Sequence, residues 1–153
     1  MATSIIYRVK VESDLTIERA IERYAPYRTY KEFHQEQIDF FKTVPKNASE
    51  ETDVYFFHVG RRINDDDLEK EYERRGLRPV DPYSLAQINI DDRLLSYQRP
   101  NATHWKDPEG KWCLASFNHH HGHDLVDIYP GDSNWGPFFW FAGIRPPANK
   151  ADE

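Results

Sequence analysis

Hydrophobic and polar positions alternate from Ile5 to Val11, with Ile5, Tyr7, Val9 and Val11 on one side and Ile6, Arg8 and Lys10 on the other. That period of two predicts a half-buried strand. After Ser13 and Asp14 the spacing changes: Leu15, Ala20, Ile21 and Tyr24 share one helical face, Thr16 or Asp14 can cap it, and Pro26 stops it. Tyr30, Phe33, Phe40 and Phe41 lie among polar residues, a pattern that suits a helix or an aromatic-studded loop equally. Lys46 to Thr52 is polar, follows Pro45 and reads as a surface connection. Asp53 to Gly60, rich in aromatic and β-branched types, predicts a buried strand.

The next helix is the best punctuated. Asn64 or Asp65 can cap it, Asp65, Asp66 and Asp67 place negative charge at the positive end of its dipole, and Arg74 and Arg75 occupy its last turn. Gly76 is placed to take the left-handed conformation past its end, with Leu77 folding back and Pro79 blocking continuation. Asp81-Pro82 repeats the start signal and opens a helix over Tyr83 to Asn89; Arg93 to Tyr97 can add a turn before Pro100.

From Thr103 the period returns to two. His104 to Lys106 and Lys111 to Asn118 flank the turn Asp107-Pro-Glu-Gly110, which predicts a hairpin with Trp112, Leu114 and Ser116 on one face and Cys113, Ala115 and Phe117 on the other. A histidine tip with Gly122 reverses the chain into His123 to Tyr129; Pro130 to Pro137 reads as a loop and Phe138 to Ile144 as the last strand. The expected fold is α+β: an antiparallel, aromatic-rich β-meander packed against short helices. A chain of 153 residues suits one domain, taken as 1–147, with a flexible tail at 148–153.

Composition sharpens this picture. Aromatics at 14% put Trp, Phe and Tyr in the core, and a mean hydropathy of -0.84 implies a solvated exterior. The net charge of -6 disfavours general nucleic-acid binding, which needs a concentrated Lys/Arg surface. Arg61, Arg62, Arg74, Arg75 and Arg78 are the basic concentration, but acidic neighbours make a salt-bridged surface the expectation. No apolar run is long enough for a membrane span and the first residues lack a secretory pattern. Cys113 is alone, which fits a reducing, cytoplasmic compartment.

Candidate chemistry is sparse. His119, His121 and His123 project to one side of a strand and offer a metal set; with His120 they also suit an exposed hairpin tip where polarity alone is required. Cys113 with His104 or His119 could form a thiolate–imidazole pair, though a cysteine between Trp112 and Leu114 reads as a small buried hydrophobe. Asp124 and Asp127 fall on opposite faces of a strand, Asp132 follows in the loop, and Asp65 to Asp67 is explained by capping. Phosphate loops and nucleophile elbows are absent, and no cofactor is implied.

Two motifs carry a resemblance. Arg74-Arg-Gly-Leu-Arg-Pro79 and the ending Trp140-Phe-Ala-Gly-Ile-Arg145 resemble a family of small uncharacterised bacterial proteins over Asp53 to Pro146. The resemblance implies no activity and transfers no functional residues. Arg78-Pro79, Leu85 and the Trp-bearing strands are also faintly similar to bacterial C-type-lectin-like domains, without their calcium-binding or disulfide features.

The resulting expectation is a non-enzymatic binding module that engages a protein, peptide or carbohydrate through an aromatic C-terminal face. Trp135 is the expected anchor, with Trp105, Trp140, Phe139 and Asn134 beside it. The alternative is a small metal-dependent hydrolase using His119, His121 and His123.

Overall fold

The computed structural model describes residues 5–25, 35–46, 51–120 and 122–146. The readings placed on Tyr30, Phe33, residues 47–50, His121 and the 148–153 tail lie outside the described residues. The chain begins with β1 (Ile5–Val9), α1 (Ile17–Tyr24) and α2 (Gln35–Phe41), then β2 (Thr52–His58). A central portion follows as β3 (Ile63–Asn64), α3 (Asp65–Arg74), β4 (Arg78–Pro79), α4 (Pro82–Asp91) and α5 (Leu95–Gln98). The rest is strand: β5 (Asn101–Lys106), β6 (Trp112–His120), β7 (His123–Pro130), β8 (Asn134–Trp135) and β9 (Trp140–Ile144). The architecture is α+β, and among the described residues no helix is long and apolar enough to cross a membrane.

Local signals set the helix ends. Thr16 accepts the Arg19 N–H at the start of α1, Asn64 accepts the Asp67 N–H at 2.8 Å, and Asp81 accepts the Ser84 N–H at 3.0 Å ahead of Pro82. Past α3 the Leu77 N–H donates to Tyr72 O and the Gly76 N–H to Glu73 O, each at 3.0 Å, with Gly76 at φ 69°. That paired arrangement is the Schellman motif, in which glycine takes the left-handed turn without a Cβ penalty. It throws the chain straight into β4.

Among the described residues seven strands form one sheet in the order β1-β2-β9-β5-β6-β7, with β4 attached to β9 off that path, and β3 and β8 form a separate ribbon. β5, β6 and β7 are consecutive and antiparallel. The last strand departs from the expected pattern. β9 lies between β2, which it meets antiparallel, and β5, which it meets in parallel. The reason is the connection: the chain after Pro130 runs over the sheet as β8 before re-entering, and a crossover of this kind delivers a parallel neighbour where a short turn would not.

Both faces of the sheet are covered. On one, Val54, Phe56, Ala115, Phe117 and Ala142 meet Ile17, Ala20, Ile21 and Tyr24 of α1 and Leu85 and Ile88 of α4. On the other, Phe57, Ala102, Leu114 and Phe141 meet Leu68 and Tyr72 of α3 and Ile63 and Trp135 of the ribbon. Each large side chain so buried contributes about 1.5–3 kcal/mol. The face expected to lie open is therefore closed by α3 and the ribbon. Phe138 and Phe139 precede β9 rather than alternating within it, which leaves Phe138 on the surface, 54% exposed.

Candidate functional site

The parallel pair splits. β5 runs beside β9 only at Asn101 and Ala102, after which β4 takes over the edge of β9 at Gly143 and Ile144. Thr103 donates its hydroxyl to Val80 O at 2.6 Å and the Val80 N–H donates to Ala142 O at 3.1 Å, which fixes the upper end of the gap. Beyond that point β4 and β5 diverge, and residues of both line the space that opens. The space is a groove of about 1140 Å³, lined by Glu69 and Glu73 of α3, Arg78 of β4, Trp105 and Lys106 of β5, and Trp112 of β6. Crevices at the carboxyl ends of parallel strands are recurrent ligand sites, because no side chain of the sheet fills the space where neighbouring strands diverge.

His104 lies at the floor of this groove and is wholly buried. Its Nδ1 is 2.8 Å from Asp65 Oδ1 and its Nε2 is 2.8 Å from Glu69 Oε2. The imidazole stacks on the Trp112 indole, with centroids 4.1 Å apart, and on the Tyr72 ring of α3, with centroids 5.6 Å apart. Burial pulls the His104 pKa down, but hydrogen bonds and charge from Asp65 and Glu69 more than offset that, leaving it above the ordinary 6.5. In its protonated form the group donates to a carboxylate from each nitrogen. Asp65 is satisfied further by the Ser133 N–H at 2.6 Å and the Trp135 indole N–H at 2.9 Å. Glu69 is less enclosed, its side chain 33% exposed at the groove. Trp112 donates its own N–H to Asp66 at 2.8 Å, and Lys106 Nζ lies 4.8 Å from the centre of the same indole.

The residues expected to form a site are dispersed. Trp135 is 4% exposed, its ring edge-on to Phe139 and Phe141. A buried indole whose N–H is satisfied by Asp65 is a core residue, and it presents no surface to a ligand. Trp140 is half-buried on the opposite face from Phe141, stacked on His58 at 5.1 Å with Arg99 over its ring. Asn134 is exposed and paired with Asn64 in the ribbon. Trp105 alone of that group lines the groove, its ring stacked on Phe40 at 6.4 Å.

His119 Nδ1 lies 2.9 Å from the acceptor Oδ1 of Asp124, and its ring meets Tyr97 edge-on. His120 pairs with His123 across β6 and β7, and His121 lies outside the described residues. Among the described residues no group of three or more His, Cys, Asp or Glu is arranged to hold a metal. Asp127 lies opposite Ser116 on β7, while Asp132 follows in the loop. Cys113 is buried on the face opposite His104, and burial pushes its thiol up to about 11, so the two do not form a thiolate–imidazole pair. Three arginines, Arg61, Arg74 and Arg75, converge on the buried Glu71.

Asp65 and Glu69 escaped the sequence reading because helix capping already accounts for an acidic first turn. The available signal was spacing: positions 65, 68, 69 and 72 share one helical face, and Leu68 and Tyr72 mark that face as buried. Two carboxylates on a buried face demand a cation, and His104 stands on a strand facing the same core. Comparison of the chain with family models, with curated proteins and with solved structures gives no match in any of the three.

Proposed function

We propose that this chain is a non-enzymatic binding module that takes an extended peptide segment of a partner protein into the gap between β4 and β5. The observation that carries the reading is that β5 leaves the edge of β9 after Ala102, β4 takes that edge over at Gly143, and residues of both strands line one groove. An extended segment entering there gains main-chain hydrogen bonds from the β5 edge past Ala102, the mode by which peptides augment sheets. Its side chains alternate in direction. One set meets Trp105 and Pro45, the other meets Trp112 and the α3 carboxylates Glu69 and Glu73.

A peptide fits this site better than a sugar does, because the Trp112 indole already carries the His104 ring and Lys106 and offers no bare platform. The antiparallel, aromatic-rich run β5–β6–β7 is the scaffold that presents the edge. A cytoplasmic setting agrees with the lone thiol of Cys113. The test is selection of peptides from a random library on the full chain, followed by amide hydrogen exchange with and without a selected peptide. Slowed exchange within 103–106 is expected; binding that leaves these amides unprotected sinks the reading.

A further inference from the structure

In the buried cluster beneath the groove His104 bridges two carboxylates, Asp65 at Nδ1 and Glu69 at Nε2, each at 2.8 Å. We infer that His104 controls the groove: protonated on both nitrogens it pins the Glu69 carboxylate to the sheet, and loss of one proton releases that carboxylate into the path of the ligand. The consequence for binding rests on the groove being the peptide site; the release itself does not.

The groups facing His104 decide which proton leaves. From α3 come Asp65, Glu69 and the Tyr72 ring; from β6 comes Trp112, which carries Asp66 on its N–H and Lys106 against its ring. Behind Asp65 stand the Ser133 N–H and the Trp135 indole. Asp65 is 3% exposed and held by these two further donors, so it has nowhere to turn. Losing the proton at Nδ1 would set a lone pair against this fixed, buried carboxylate. The retained proton therefore stays on Nδ1.

At Nε2 the lone pair then faces Glu69 Oε2 across 2.8 Å with no hydrogen between them. Two acceptors at that distance repel, and the unpaired carboxylate sits beside an apolar indole that cannot solvate it. Glu69 has the freedom Asp65 lacks, being partly exposed at the groove. Rotation about its side-chain bonds places the carboxylate in the groove, where Glu73 already stands. A ligand with a Lys or Arg on that side gains a partner as the pH rises past the His104 transition, and one without it does not.

Long-range proton–nitrogen spectra of the full chain, labelled in histidine and glutamate, follow both groups through a pH titration without any ligand. The expected result is a His104 midpoint above 6.5, an Nδ1–H tautomer on the alkaline side, and a Glu69 carboxyl carbon shift moving with the same midpoint. An Nε2–H tautomer, or a Glu69 signal that ignores the His104 transition, overturns the inference. E69Q should lower the midpoint; if that variant does not fold, the wild-type Glu69 signal decides alone. The second arm measures a library-selected peptide and its Lys/Arg→Gln counterpart across the same pH range. Affinity rising at least threefold for the basic peptide only is expected, and equal pH profiles for two groove-bound peptides overturn the control of binding. Absence of any peptide protecting the groove amides would instead remove the binding function, with proton-driven release still judged by the spectra.

Discussion

Asp65 and Trp135 stand 70 positions apart in the chain and meet through one hydrogen bond, the indole N–H donating to Asp65 Oδ1 at 2.9 Å. The same oxygen receives the His104 Nδ1–H at 2.8 Å. A single carboxylate in the first turn of α3 thus ties the helix, the sheet and the β3–β8 ribbon together. The helix dipole favours an anion at that end, which adds to the hold.

Removing this carboxylate strands a buried imidazolium and an indole N–H at once. Breaking a buried charge pair costs about 3–5 kcal/mol, so Asp65→Ala should lose on that order in urea denaturation. Asp65→Asn keeps an acceptor oxygen and should lose less. Equal losses for the two would show that charge is not what matters at this position.

Gly143 marks where β9, β4 and α3 crowd together. A Cβ there would lie 2.9 Å from Arg78 O and 2.9 Å from the Tyr72 ring, which is itself fixed by its hydroxyl on Ala142 O at 2.8 Å. Neither the backbone nor the buried ring can retreat. Gly143→Ala should cost about 1–3 kcal/mol as an overpacked site and raise hydrogen exchange at the Val80 amide as β4 lifts. A neutral substitution would mean that β4 is loosely attached.

What could be read beforehand follows the range of the interaction responsible. Asn64, Gly76 and Asp81-Pro82 act within a few residues, so the ends of α3 and the start of α4 were legible. The closing strand was legible as a strand but its partners were not, because parallel pairing of Asn101 with Trp140 depends on a crossover that no local pattern encodes. Trp135 misled for a related reason: an indole in a polar loop looks exposed until its N–H partner, far away in sequence, is known. His104 was hidden by alternation, since a polar residue in a half-buried strand is ordinarily assigned to the solvent side.

Stability should depend on pH through His104. Its pKa is raised in the folded state, so below 6.5 both states hold the proton and the contribution is full; it is lost as pH rises from 6.5 through the folded value. The slope of one such group cannot exceed about 1.4 kcal/mol per pH unit. Urea denaturation between pH 6 and 9 should show a decline that H104Q lacks. A variant with the same slope as wild type would assign the decline elsewhere.

Cys113 should be inert in the native state. It is wholly buried, its thiol is pushed up to about 11 by burial, and its sulfur lies 3.8 Å from Lys111 O. Alkylation then needs an opening of the β5–β6 hairpin, and labelling should track denaturant in parallel with unfolding. Rapid modification in buffer would contradict the packing on that face.

The register at which β5 meets β9 is tied to a reciprocal amide pair. Asn89 Nδ2 donates to Asn101 Oδ1 at 2.8 Å and Asn101 Nδ2 donates to Asn89 Oδ1 at 3.0 Å, both side chains wholly buried. The remaining donors reach Leu85 O at 2.9 Å and Arg99 O at 3.1 Å, so neither amide is short of partners. Asn101 is also the residue beside Trp140 in the parallel pair, and the Trp140 N–H donates to Pro100 O at 2.8 Å. Asn101→Leu should cost on the order of 2–4 kcal/mol, because it leaves the Asn89 amide buried and half-satisfied as well as adding bulk. Changing both to Leu removes the orphaned amide, so the double variant should be more stable than the sum of the single losses by about 1–3 kcal/mol. If the pair also fixes register, that rescued protein should still show weakened protection at the Trp140 amide. Additive losses would mean that each asparagine acts through its backbone partner alone, and intact protection at Trp140 in the double variant would assign the register to the crossover instead.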